Sequence, residues 1–452
     1  ENDIYPRITR LDGAAVSTRD QLAESIAPVS ISVDLVSDDS AFDALTTAVL
    51  DGGCVGLIRN TVAKAQEAYD ALVERLGRER VGLIHSSFVT VDRQVIETHL
   101  RTALGKPGAD GVTPGRPHGY VVVGTQILEQ SLDIDLDLLV TDVAPIDLIL
   151  QRVGRLHRHQ RGHDQSLRPA SLRRPRLLLL GARLPTMADP RDGSLAPWIA
   201  PHNLAVYDAS LLLRSLAILR DSINGRPLRL PDDIAPMVRR GYDPQCPSPV
   251  GWEEVWRAAD AAHRLQALEQ RSKAEAFLLP GPFDISDFRE WTKAPATDPD
   301  ESPTARAQVR DTEDTVEVVV VCRDGAALRG FPGSGVPVEV DLAGELAPPS
   351  DAVARKVAAC TLRLPTAMTS AGRHTSDGVE RRVATAYARI DAVIDDLERQ
   401  GSRLAGWNQS PWLKGQLPLI LDESGRAEVA GWALEYDSHR GLRRTRMRKD
   451  AQ

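Results

Sequence analysis

Gly124-Thr-Gln-Ile-Leu-Glu-Gln-Ser-Leu-Asp-Ile-Asp135, the run Leu136–Asp142 and Gln151-Arg-Val-Gly-Arg-Leu-His-Arg-His159 decide how this chain reads. The first segment leaves a β-branched run, Tyr120–Gln126, and leads straight into a second apolar run. Short runs apolar on both faces are what a parallel sheet covered on both sides requires. In such sheets ligands bind beyond the carboxyl ends of the strands, and Thr125 and the Gln151–His159 segment both follow such ends. The Thr125 hydroxyl and nearby backbone N–H groups suit a phosphate. Arg152, Arg155 and Arg158 are spaced by three, so a helix would set them on one face, with Gly154 allowing close approach. Planar guanidinium forks grip phosphate oxygens, and the anion they imply is a transferring phosphoryl group.

Working outward, further strands are expected at Ile31–Ser37, Cys54–Asn60, Val81–Ser87 and Arg176–Gly181. Between them Val62, Ala65, Tyr69, Leu72, Val73 and Leu76 recur at helical spacing, with Thr61 as N-cap and Gly77 just past the end. Ala144-Pro145 opens another helix, proline sitting where its missing N–H costs nothing. Residues 1–182 thus form an α/β domain, a parallel sheet with helices on both faces. Pro185, Pro190, Pro197 and Pro201 mark a change to a helical linker, 183–312, with helices near 204–223 and 250–277 and a Pro- and Asp-rich break at 295–303. Residues 313–452 read as a small α+β C-terminal domain: a strand at Val316–Cys322, a helix near 378–400, and a closing hairpin of Leu417–Leu421 and Val429–Tyr436 turning at Glu423-Ser424-Gly425.

A chain of 452 residues leaves room for roughly three domains at about 150 residues each. No run of eighteen apolar residues occurs, and Glu1-Asn2-Asp3-Ile4-Tyr5 lacks the basic and apolar regions of a leader, so no membrane association is expected. Cys54, Cys246, Cys322 and Cys360 are far apart and form no C-x-x-C pair, which argues against a disulfide framework or structural zinc and for a cytoplasmic setting. The net charge is −8, yet residues 152–176 hold eight Arg against one Asp, and 439–449 hold five Arg and one Lys without an acid. Two positive patches on an acidic protein are the footprint expected for a polyanion.

Thr125–Asp135 followed by Gln151–His159 resembles motifs V and VI of superfamily 2 helicases, and Gly56–Thr61 and Leu83–Arg93 resemble motifs IV and IVa. With Glu129–Asp133, Ala144-Pro-Ile-Asp147 and Leu156–His159, the pattern is similar to the CRISPR-associated helicase-nuclease of type I systems, which the Cascade surveillance complex recruits. Gly406–Gly415 and Glu435-Tyr-Asp437 resemble its C-terminal accessory domain. The resemblance implies a RecA-like sheet and assigns roles: Arg155 and Arg158 as arginine fingers, Gln151 and Arg152 as supporting nucleotide contacts, Asp133 on the ribose. Asn60, Thr61, His85, Ser86, Thr125 and Gln126 would hold the phosphates of a tracked single DNA strand. Ser131 departs from the glycine common at its position.

The G-x-x-x-x-G-K-[ST] loop of the first helicase lobe is absent; Gly105-Lys106 has Leu100 and Pro107 where Gly and Ser or Thr belong. The chain therefore looks like the C-terminal half of the enzyme. ATP would sit in a site shared with the missing first RecA-like lobe, Mg²⁺ would enter only in the full protein, and the His-Asp nuclease domain has no counterpart. The expected function is the C-terminal part of an ATP-dependent single-stranded DNA translocase of type I CRISPR interference, inactive as an ATPase alone. The alternative is a non-catalytic adaptor that docks on DNA or Cascade.

Blander readings stand beside these. Capping and ribose contact explain the alternating Asp133, Asp135 and Asp137 better than a metal, and His157, His159 and His163 have no Cys or fourth His nearby in sequence to complete a metal site. Trp407, Trp412 and Trp432 favour core packing over base stacking. The Arg161–Arg176 run and the cationic C-terminus fit either DNA contact or a bland role.

Overall fold

The computed structural model describes residues 7–20, 28–108, 110–130, 132–185, 195, 198–275, 315–342, 349–369 and 379–447. It begins with a hairpin, β1 (Arg7–Asp12) and β2 (Ala15–Asp20). The α/β domain then runs β3 (Val29–Leu35), α1 (Asp38–Leu50), β4 (Cys54–Ile58), α2 (Val62–Leu76), β5 (Val81–Ile84), α3 (Thr90–Leu104), β6 (Tyr120–Gly124), α4 (Ile127–Gln130), β7 (Leu138–Asp142), α5 (Ile146–Val153) and β8 (Arg176–Leu180). The strands form a seven-stranded sheet in the order β5-β6-β4-β7-β8-β3-β9, parallel except for the edge strand β9 (Leu228–Leu230), which runs against β3. β4, β6 and β7 are buried along their whole length, as central strands covered on both faces must be.

α1 and α2 cover one face, packing Leu45 and Leu72 on Leu57, Val121 and Val140. Thr61 caps α2 through a hydrogen bond from the Lys64 amide (3.2 Å), and Gly77 ends it at φ +84°, as its sequence implies. The linker supplies α6 (Pro201–Leu204), α7 (Ala209–Ile223), α8 (Ile234–Tyr242) and α9 (Glu253–Glu275). Leu212, Leu213, Leu216, Trp252 and Trp256 from these helices join Ile58, Ile84, Val122 and Leu139 in a single core on the sheet's other face.

In the C-terminal region β10 (Glu317–Asp324) pairs antiparallel with β11 (Ala327–Gly330) and β12 (Thr361–Arg363), and parallel with β13 (Pro418–Leu421). The helix Val379–Gly401 precedes β13. The expected hairpin partners are corrected here. β13, apolar on both faces, takes the covered place beside β10, while β14 (Arg426–Val429), β15 (Trp432–Asp437) and β16 (Gly441–Arg446) make a separate antiparallel meander. The turn itself forms where expected: the Asp422 carboxylate accepts from Ser424 N, Ser424 Oγ and Arg426 N, and Gly425 adopts φ +78°. Ala430 and Gly431, both at positive φ, split the expected 429–436 strand in two. Residues 441–446 of the cationic stretch are a paired strand.

Candidate nucleotide and strand site

The carboxyl ends of β4, β6 and β7 meet in a polar network. Asp142 Oδ2 accepts from Arg59 Nε (3.2 Å) and Asn60 N (2.9 Å), and Asn60 Nδ2 donates to Val143 O (2.7 Å) and Asn203 Oδ1 (2.8 Å). Burial pushes the Asp142 carboxyl up, but His202, Arg59 and the Asn60 amide outweigh it and hold it below its ordinary value. Gln126 Nε2 donates to Asn60 O (3.1 Å) and Tyr207 Oη (3.2 Å). Asn60 and Thr125 are thus interior, Thr61 is committed to its cap, Gln126 is half-buried, and Ser86 alone among the six expected strand contacts is exposed.

The arginine row does not share a helix face. α5 stops at Val153 with Gly154 as its C-cap, and the chain turns so that Leu136 N donates to Arg155 O and His157 N to Leu136 O, 2.9 Å each. Arg152 stays on the helix and is fully buried. Its Nε meets Glu129 Oε2 (2.7 Å), Nη1 donates to Thr141 Oγ1 (2.8 Å) and Asp142 O (3.1 Å), and Nη2 to Tyr207 Oη (3.1 Å). With all three nitrogens engaged inside the protein, Arg152 ties α4, β7 and the linker together, which corrects the expectation of a nucleotide contact.

Arg155 is different. Its Nη2 donates to the Glu129 carbonyl (2.7 Å), while its Nε is buried without a partner. Burial and the neighbouring Arg158 lower its pKa. Arg158 is exposed, held by Asp133 Oδ1 (2.5 Å) and Gly154 O (3.2 Å). Burial raises the Asp133 carboxyl, but Arg158 and His159 outweigh it and leave it lowered. Gln151 is exposed beside them. Four expected nucleotide residues, Gln151, Asp133, Arg155 and Arg158, therefore stay accessible or partly so.

Asp135 and Asp137 face inward. Arg161 pairs with Asp135, and Arg168 with both Asp135 (2.9 Å) and Asp137. Arg116 reaches Asp137 Oδ2 (3.0 Å). The Arg161 and Arg168 side chains are as good as inaccessible, so the expected DNA-contacting run is in part an internal ion cluster. Burial, then Arg168, push the His157 imidazole down to about 4. No group of three or more His, Cys, Asp or Glu side chains suited to a metal occurs among the described residues. Arg116 was not anticipated; two carboxylates on a buried segment, each demanding a cation, are the signal that points to it.

His85 is also interior, and its partner was not foreseen. Its Nε2 donates to Arg440 O (3.0 Å) and its Nδ1 accepts from Ser87 N (3.2 Å), an arrangement only the neutral ring satisfies. Burial pushes it down to about 4. Around it Leu442 N donates to Ser87 O (2.7 Å), Gln66 Nε2 to Arg440 O (2.7 Å), and Tyr436 Oη donates to Asp92 Oδ2 (2.6 Å). Arg440 and Arg443 both pair with Asp70 of α2. Gly441 packs so closely at φ +68° that a Cβ there would lie 2.6 Å from His85 Cε1. Val89 enters the C-terminal core directly. The segment expected to hold DNA therefore docks the C-terminal domain, and the assignment of His85 to a strand phosphate is corrected accordingly.

A parallel sheet whose carboxyl edge carries Q-R-x-G-R-x-x-R, followed by helical and α+β parts, defines a RecA-like helicase lobe with an accessory domain. The chain belongs to the CRISPR-associated Cas3 family: "CRISPR-associated nuclease/helicase Cas3, C-terminal" matches residues 51–161, and "Cas3 C-terminal domain" matches 310–388 and 379–442. It is 32% identical to the CRISPR-associated nuclease/helicase Cas3 of Streptococcus thermophilus over 99% of this chain and 44% of that protein. A solved structure described as a CRISPR-associated protein aligns with TM-score 0.71 and 28% identity, over 99% of this chain and 44% of that one. A chain in a pre-nicking CRISPR RNA-guided surveillance complex shares the fold, with TM-score 0.65 and 22% identity over 97% of this chain and 48% of that one. The chain spans less than half the length of these relatives. No helix among the described residues is long and apolar enough to cross a membrane.

Proposed function

We propose that this chain supplies one wall of an ATP site in a single-stranded DNA translocase of type I CRISPR interference, the other wall coming from the first RecA-like lobe. The observation that carries the reading is Arg155: a half-buried guanidinium with a buried Nε that has no partner among the described residues, and no carboxylate among them at ion-pair distance. A cation held in that state fits an anion arriving from outside, and the orphaned Nε fits a phosphate oxygen.

ATP brings the γ-phosphoryl group and the free energy of its transfer to water. Arg155 stabilises negative charge on that group, fixed in place by the Glu129 carbonyl. Arg158 exchanges its Asp133 partner for phosphate, and Gln151 holds the triphosphate from the rim. Asp133, released by Arg158, is free to accept from a ribose hydroxyl. Mg²⁺ belongs to the complete site. The tracked strand meets Ser86 and the accessible part of Gln126, the nuclease domain lies in the remainder of the protein, and the Cascade complex recruits the whole. The four cysteines carry free thiols, consistent with work in a reducing cytoplasm.

ATP turnover by the full-length protein tests this. Arg155→Ala should lower DNA-stimulated kcat on the order of a thousandfold with thermal stability little changed, and the present chain alone should show no turnover. Full activity in Arg155→Ala would overturn the reading and leave the docking adaptor; turnover by this chain alone would overturn the shared site.

A further inference from the structure

A second concave site lies in the C-terminal domain, away from the sheet edge and independent of the reading above. Arg323 at the end of β10, Arg403 just after the helix Val379–Gly401, and Arg426 at the start of β14 surround a depression of about 300 Å³, with Leu404 and Ile420 between them. The three guanidiniums are poorly compensated. Arg323 and Arg403 meet no carboxylate among the described residues, and Arg426 reaches an exposed Glu435 at 3.7 Å and lies within the field of Asp422. Asp422, the one acid in the lining, has Oδ1 occupied by three hydrogen bonds of its own turn. The three arginines share the lining of one hollow, and the arginine fork is shaped for phosphate. The volume lies at the lower end of small-molecule sites, and the partly exposed Ile420, with the buried Leu404 behind it, gives the hollow an apolar floor beside the charges.

We infer that this depression binds a phosphorylated nucleoside unit, the phosphate on the arginines and the nucleoside against Leu404 and Ile420. Such a unit comes either as a free mononucleotide or as the phosphorylated end of a DNA strand.

The test is titration calorimetry on the whole chain at low salt, with dAMP and with a short 5′-phosphorylated oligothymidylate. Arg323→Ala/Arg403→Ala should weaken binding about tenfold or more. Both arginines are exposed, so the fold should survive, and thermal melting checks that. Saturable dAMP binding lost in the double variant supports the free nucleotide; binding and loss seen with the oligonucleotide alone supports a strand end. Absence of saturable binding by either probe, or equal affinity in the double variant, overturns the site.

Discussion

Arg152, Arg161 and Arg168 differ from Arg155 and Arg158 in what lies opposite, not in residue type or in neighbourhood along the chain. Each of the first three ends on a buried carboxylate: Glu129, Asp135, or Asp135 with Asp137. Arg158 meets an exposed Asp133 on the rim, and Arg155 meets a backbone carbonyl and, among the described residues, no carboxylate at ion-pair distance. A guanidinium leaves water only when a carboxylate and enough acceptors receive it, so the carboxylates, rather than the count of arginines, decide which charges face outward. The outward field of residues 152–176 is accordingly smaller than its eight arginines suggest.

The sharpest way to break this contrast is to delete one arginine from each set. Arg152→Ala strands the buried Glu129 and should cost about 3–5 kcal/mol of stability, with Arg168→Ala, which takes one cation from each of two buried carboxylates and leaves Arg161 and Arg116 in place, approaching the same range. Arg155→Ala removes a half-buried group that no carboxylate depends on and should cost about 1 kcal/mol or less. Urea unfolding of the three variants measures the difference. Equal losses for Arg155→Ala and Arg168→Ala would erase the distinction between internal and outward arginines.

Acid sharpens the comparison, because the interior also holds neutral imidazoles. His85 and His157 both sit at about 4 against an ordinary 6.5. Above pH 6.5 neither folded nor unfolded chain protonates them, and stability is at its full value. Between about 6.5 and 4 the unfolded chain binds protons the folded one refuses, so stability falls, and below 4 the loss is complete. At 2.5 pH units each, the loss is at most about 3 kcal/mol per histidine. The carboxylate Asp135, held low by Arg168 and Arg161 against burial, gives up its contribution only below the ordinary carboxylate value near 3.8. Chemical denaturation across pH 4 to 7 should therefore be roughly half as steep in His85→Gln as in the parent. An unchanged slope would mean that His85 is not held neutral at the domain junction.

What was legible in the sequence follows the same logic of distance. β4, β6 and β7 and the capped α2 are written in local pattern: both-face apolar runs, Thr61, Gly77. Gly154 was legible as a small residue but not as the end of α5, so three-residue spacing suggested a helical face that the chain does not make. Glu129 lies 23 residues before Arg152, and the His85 acceptor lies 355 residues away, at separations where spacing carries no information. Of the three tryptophans, Trp407 is core as expected, Trp432 packs against the C-terminal core with Arg444 and Arg446 over its ring, and Trp412 is exposed beneath Arg355. β13 was recognisable as a strand, but its partner β10 lies across a long intervening segment, so pairing with the nearer residues 429–436 was the expected and incorrect choice.

The smallest effect belongs to the second basic stretch, where arginines pair with an acid on the outside of the lobe. Asp70 accepts Arg440 Nε at 2.7 Å and also pairs with Arg443, with all three side chains about one-third exposed. Water and salt screen such pairs, so Asp70→Ala should cost about 0.5–1 kcal/mol, less at high ionic strength. The junction does not rest on them: Val89 in the C-terminal core, Tyr436 on Asp92, and Leu442 paired with Ser87 remain. The expected signature is therefore local, with faster amide exchange in 440–446 and an unfolding midpoint little changed. A loss in Asp70→Ala comparable to that of Arg168→Ala, and insensitive to salt, would show that an exposed pair can do here what only the buried cluster should, and the contrast between the two basic stretches would have to be abandoned.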